Sequence, residues 1–159
     1  MTQQLSTSAQ KVQHILQTLG FPCQVVELSD STRTAKEAAQ AIGTRVEQIV
    51  KSLIFKGQLT SKPILVVASG TNRVNEKRLS ELAGEPIGKA DADFVRQSTG
   101  FAVGGVPPVG LASPIETYID EDLLRYDEIW AAAGTPHAVF PLTPADLQKM
   151  TGGQVVTIT

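Results

Sequence analysis

The chain has 159 residues, 42% apolar and 19% charged, with a formal net charge of −2. That is enough for one domain with a real core, and it argues against a global basic field for nucleic acid. A single cysteine, Cys23, excludes an intramolecular disulfide and a cysteine-cluster metal site within the chain.

No apolar run approaches the roughly 20 residues that span a bilayer, and the polar N-terminus lacks a signal-peptide core, so a soluble cytoplasmic protein without membrane contact is expected. The charge is uneven. Arg33, Lys36, Arg45, Lys51, Lys56 and Lys62 face only Glu37 and Glu47 in their stretch, while acidic residues dominate after Ala112. The basic stretch is the candidate surface for a polyanion, unless it is simply a solvated face.

Val12, Ile15, Leu16 and Leu19 share one helical face, ending at Gly20. Residues 23–28 predict a strand. Thr34 with Glu37 forms a capping box for a helix whose inner face is Ala35, Ala38, Ala39 and Ile42. Residues 48–55 predict a strand ending near Gly57. Its alternation puts Lys51 on the face of Ile49, Leu53 and Phe55, and Ser52 on that of Val50 and Ile54. A lysine on an apolar face is costly unless it is paired or opens into a pocket; an edge-strand or snorkelling lysine is the plainer alternative.

Ile64–Ala68 predicts a strand covered on both faces. The polar turn Ser69–Arg73 contains Asn72, which can bond a ligand or its own backbone. Asn75 and Asp91 open helices carrying Leu79, Leu82 and Ala83, and Phe94 and Val95.

Residues 100–110 hold Gly100, Gly104, Gly105 and Gly110 with Pro107 and Pro108. Such a loop can expose amides from Gly104, Gly105 or Val106 to a carbonyl oxygen, an oxyanion or a phosphate. Glycine content alone fits a tight turn between strands at least as well. The spacing matches neither a dinucleotide fingerprint nor a P-loop.

Residues 115–120 alternate like a half-exposed strand, and residues 129–133 predict a buried one. Gly134-Thr135-Pro136-His137 is a second glycine/proline turn, in which His137 is either a base or a solvated turn residue. A strand at 138–140, a helix capped by Thr143 with Pro144 at its first position, and a strand at 155–158 complete the chain. His14 falls outside the first helix's apolar stripe. No Ser-His-Asp or Cys-His arrangement is legible, and two histidines without a cysteine cluster make a zinc site improbable, so no metal or cofactor is expected.

Three segments in order, Ile49-Val50-Lys51-Ser52-Leu53, residues 98–110 and Ala132-Ala133-Gly134-Thr135-Pro136-His137, resemble the YbaK/ProX aminoacyl-tRNA deacylases, whose fold is also the editing domain of bacterial prolyl-tRNA synthetases. The resemblance implies a single α/β domain over residues 1–159, with a central mixed, barrel-like sheet and peripheral helices. It implies trans-editing: hydrolysis of a small non-cognate amino acid, such as Ala or Cys, from the acceptor end of a misacylated tRNA, most often tRNA for proline. Prolyl-tRNA synthetase is a possible partner on the same grounds.

On this resemblance Lys51, Gly104 and Gly105 are the catalytic candidates, and Ser52, Asn72, Pro108, Gly110, Gly134 and His137 the substrate-binding ones. Val106-Pro107-Pro108 and the Gly134–His137 turn depart from the cysteine-specific pattern, and the turn looks more like that of alanine-type or small-aliphatic-type members. The rivals are a non-catalytic module that holds a tRNA end or a synthetase, and a small-molecule amidase or thioesterase.

Overall fold

The computed structural model describes residues 5–159. Its elements are α1 (Thr7–Thr18), β1 (Val26–Glu27), α2 (Ala35–Ile42), β2 (Val50–Gly57), β3 (Pro63–Ser69), α3 (Glu76–Ala83), β4 (Ile87–Lys89), α4 (Ala92–Thr99), β5 (Glu116–Asp120), β6 (Ile129–Ala132), β7 (Ala138–Leu142), α5 (Pro144–Thr151) and β8 (Gln154–Val156). The starts of α2, α3, α4 and α5 follow from side-chain caps, whereas Ser6 makes no such bond at the start of α1. Thr34, Asn75, Asp91 and Thr143 accept hydrogen bonds from the N–H groups of Glu37, Arg78, Phe94 and Asp146. No helix among the described residues is long and apolar enough to cross a membrane.

The strands form two sheets. A mixed five-stranded sheet runs β4-β2-β3-β5-β8, and an antiparallel three-stranded sheet runs β1-β7-β6. The mixed α/β architecture matches expectation, but the barrel is not closed: among the described residues one parallel bridge, Ile49 to Trp130, joins the two sheets. The main core lies between them. Val50, Ile54, Leu65, Val67 and Ile119 from the large sheet meet Ala131, Phe140 and Leu142 from the small one, with Val12 and Leu16 of α1 closing the side. On the other face of the large sheet, Phe55, Ile64, Val66, Ala68 and Tyr118 pack on Leu79 of α3. Lys51 is thus half-buried on the α3 side, and Ser52 on the side of the main core, as strand alternation requires.

Two strand expectations change, and one strand is added that the sequence did not predict. The strand at residues 23–28 pairs only at Val26 and Glu27, because only these two residues lie against β7. The short β4 carries no alternation to read and exists because it pairs with Phe55–Gly57. The half-exposed strand at residues 115–120 is instead buried over Thr117–Asp120. It lies between β3 and β8, parallel to both, and its polar groups are satisfied internally. The Tyr118 hydroxyl donates its proton to the Glu116 carboxylate at 2.8 Å, the shorter contact, and lies 3.1 Å from the Leu82 carbonyl. Burial and that carboxylate push its pKa up to about 12.

Candidate functional site

The site begins with a gap in the large sheet. β4 pairs with β2 only over Phe55–Gly57, and Trp130 bridges β2's approach only at Ile49. Among the described residues, Val50–Ile54 therefore have a strand neighbour only on the β3 side. An unpaired strand edge presents backbone donors and acceptors to whatever fills the gap. Two hollows open there. The first, about 380 Å³, is walled by Thr32, Arg33, Ala35, Ala38, Trp130 and Ala132. The second, about 420 Å³, is walled by Phe55, Asn72, Arg73, Val74, Lys89 and Val95. They share Lys51, Ser52 and Leu53 from β2, and Val103 and Val106 from the glycine loop.

Lys51 stands at this junction. Its Nζ donates to the Asn72 carbonyl at 2.5 Å. Burial first, then the neighbouring Arg73 charge, lowers its pKa from the usual lysine value, against the opposing pull of Asp120. The Asn72 carbonyl is itself held in place. The Asn72 Nδ2 donates to Asp120 and Asp122 (2.8 Å each), and its N–H donates to the Ser69 carbonyl (2.9 Å). Asp120, 1% exposed, also accepts from the N–H groups of Ser69 and Asp122 (2.9 Å each). A buried carboxylate on β5 thereby sets the turn that orients the lysine, and the Asn72 side chain is committed to that turn.

The glycine loop runs from α4 to β5, so it is not a turn between two adjacent strands. Gly104 lies in the first hollow at φ +89°, and a Cβ there would meet the Arg33 side-chain stem at 2.8 Å. Its N–H and that of Val106 have no acceptor among the described residues. The Gly105 N–H is used within the loop, donating to the Ala102 carbonyl (3.0 Å), and the Gly105 carbonyl accepts from the Gly134 N–H (2.9 Å). A Cβ on Gly105 would sit 3.0 Å from the Gly134 backbone, so these two motifs pack directly on each other.

Lys51, Ser52, Asn72 and Gly104 line the hollows; Gly105, Pro108, Gly110, Gly134 and His137 do not. Pro108 and Gly110 border a separate depression near Met150. His137 supports the site from behind. Its carbonyl accepts from the Leu28 N–H (2.8 Å), its Nδ1 lies 3.1 Å from the Asp30 carbonyl, and the Pro136 carbonyl accepts from the Thr32 N–H (2.6 Å). The turn thus holds the segment that brings Thr32 and Arg33 to the first hollow.

The basic stretch is only partly at the site. Arg45 pairs with Glu47 and Lys62 with Glu116 (3.2 Å each), and Lys56 lies over the Phe94 ring. Of the other three, Arg33 and Lys51 line the hollows, joined by Arg73 and Lys89 from outside the stretch, while Lys36 lines neither. Arg33 was read only as part of the basic stretch and Val106 only as a loop amide, and Thr32, Arg73, Lys89 and Trp130 were not singled out by the sequence at all. The only signal for them was adjacency, since Arg73 follows Asn72 and Trp130 precedes the third motif by two residues.

This geometry can be set beside known proteins. A family model described as the aminoacyl-tRNA editing domain matches residues 29–150. A solved structure described as a candidate trans-editing enzyme for prolyl-tRNA synthetase superposes with a TM-score of 0.92 at 52% identity, over 98% of this chain and 99% of that one. YwhH, an uncharacterized protein of Bacillus subtilis (strain 168), is 33% identical over 131 residues, 82% of this chain and 83% of its own. EbsC of Enterococcus faecalis (strain ATCC 700802 / V583), named as a candidate Cys-tRNA(Pro)/Cys-tRNA(Cys) deacylase, is 26% identical over 132 residues, 82% of this chain and 80% of its own. The family match spans every residue that lines the two hollows, and the chain belongs to the aminoacyl-tRNA editing domain family.

Proposed function

We propose that this protein is a trans-editing deacylase that hydrolyses the ester joining a small non-cognate amino acid to the 3′-terminal adenosine of a tRNA, with tRNA for proline carrying Ala, Cys or a similar residue as the first substrates to try. The observation that carries the reading is the junction itself. A half-buried lysine shared by the two hollows and a Gly104 N–H without an acceptor among the described residues both line the first hollow.

The first hollow, walled by Ala35, Ala38 and Ala132, suits a small side chain; the second suits the terminal nucleoside, since only the single-stranded end need enter. The ester then lies at the junction. Water adds to its carbonyl carbon, and the developing oxyanion is met by the N–H groups of Gly104 and Val106. The acyl C–O bond breaks, and the 3′ oxygen takes a proton and departs with the tRNA, leaving the free amino acid. Lys51 supplies positive charge to the terminal nucleotide or ester. Ser52 and the Asn72 turn position it, Gly105 and Gly134 hold the loop against the third motif, and His137 sets the first hollow's wall and hence substrate choice. Pro108 and Gly110 fix the loop's far end.

The test is single-turnover deacylation of a panel of misacylated tRNAs beside free aminoacyl esters. Hydrolysis confined to tRNA esters of small residues supports the proposal. Binding without hydrolysis would make the protein a holding module, and equal hydrolysis of free esters would make it a general esterase.

A further inference from the structure

The second hollow has a charged rim that the chemistry at the ester does not use. Arg73 and Lys89 are both exposed, both line it, and neither forms an ion pair among the described residues. Arg45, Lys62 and Arg125 pair with carboxylates, and Lys11 and Lys56 lie over Phe101 and Phe94; Lys36, Lys77, Arg78, Arg96 and Lys149 also form no ion pair among the described residues, but none of them lines either hollow. Around the two hollows Arg33, Lys51, Arg73 and Lys89 face a single lining carboxylate, Glu76. Like charges gathered without counter-ions at a cleft raise the local potential and call for an anion. The floor beneath Arg73 and Lys89 is apolar, formed by Phe55, Val74 and Val95. An apolar floor with a cationic rim is the arrangement that takes a base and sugar below and a phosphodiester above.

We infer that Arg73 and Lys89 are the phosphodiester clamp of this site, gripping the backbone of the single-stranded acceptor end while the terminal nucleoside occupies the second hollow. The inference rests on the deacylase reading and deepens it, because it fixes which way the strand enters: over the β4 and α3 side, away from Arg33. It also moves the electrostatic surface off Lys36, Arg45 and Lys56. Glu76 opposes the clamp from within the same rim, so its neutralisation should tighten binding.

The test compares wild type with Arg73→Gln, Lys89→Gln, Glu76→Gln and, as an off-site control, Lys36→Gln. Each is measured for single-turnover deacylation of a misacylated tRNA over a salt series and for hydrolysis of the matching 3′-aminoacyl-adenosine, which has no phosphate. Melting temperatures guard against misfolding. Each clamp variant should lower kcat/KM on tRNA roughly tenfold more than on aminoacyl-adenosine. Each should also reduce the logarithmic salt slope by about 0.7, the value for one phosphate contact on a single strand. Glu76→Gln should change tRNA affinity in the opposite direction, and Lys36→Gln should leave the slope as it was.

Folded clamp variants with an unchanged salt slope, or with equal losses on both substrates, would overturn the clamp while leaving the deacylase intact. A wild-type protein inactive on both substrates would overturn the deacylase reading and the clamp with it.

Discussion

At the residue scale the site turns on Lys51, whose ammonium is half-buried and held by one backbone carbonyl. Its lowered pKa means that the folded state disfavours the charge. The unfolded chain then binds the proton more tightly, so this cost is present at neutral pH and is relieved as pH rises through the lowered folded value. Lys51→Met should therefore melt at or above wild type at pH 7, with the difference shrinking towards pH 10, while deacylation falls about 30- to 1,000-fold. Thermal melts across pH and single-turnover rates check both halves. Asp120 makes the opposite prediction. Asp120→Asn removes acceptor capacity from the buried site where the Ser69, Asn72 and Asp122 donors converge. It should cost about 1–3 kcal/mol, read by denaturant unfolding, and should slow deacylation because the carbonyl facing Lys51 shifts. The inward setting of Lys51 was legible in the alternation of Ile49, Leu53 and Phe55. Its partner was not, because Asn72 offers a backbone carbonyl, which no side-chain pattern reports.

The elements that shape the site are the glycine loop and the β2–β3 hairpin. Gly104 at φ +89° lies under the Arg33 stem, so Gly104→Ala should destabilise by about 1–3 kcal/mol and push Arg33 from the first hollow; chemical denaturation and a lower deacylation rate would register it. The hairpin is tied down from outside. Glu85, 8% exposed, accepts from the N–H groups of Leu59 and Thr60 (3.0 Å each) and from the Thr60 hydroxyl (2.8 Å). The Thr60 backbone bond foremost, then its hydroxyl, holds the carboxyl below the usual glutamate range. That stabilisation is present above the unfolded pKa and is lost as pH falls through the folded one. Glu85→Gln should lower the melting temperature at pH 7, and the gap from wild type should close under acid; scanning calorimetry from pH 7 downward tests it. Helix starts were readable because Thr34, Asn75, Asp91 and Thr143 are local signals. β4 and the burial of β5 were not, since Ile87–Lys89 owes its pairing to Phe55–Gly57, and Thr117–Asp120 are covered by two parallel neighbours far away in sequence.

At the scale of the molecule the described residues form two sheets bridged at Ile49 and Trp130, and the proposed site lies at the seam where β2's edge is left unpaired. Motif order in the sequence pointed to the seam, but not to which motif lines it. Lys51, Ser52 and Gly104 reach the hollows, whereas Gly105, Gly134 and His137 brace their walls. The basic stretch was a poorer guide, because Arg45 and Lys62 find carboxylates that only the fold brings near or orients. The account stands on the claim that this seam cleaves misacylated tRNA through Lys51. The direct measurement is single-turnover hydrolysis of Ala-, Ser-, Cys- and Pro-tRNA for proline by wild type and by Lys51→Ala, with both melting temperatures recorded. The account predicts that wild type clears at least one small non-cognate residue while sparing proline, and that a fully folded Lys51→Ala loses that rate about 30- to 1,000-fold. A wild type that spares every substrate, or a folded Lys51→Ala that deacylates within about threefold of wild type, would contradict it.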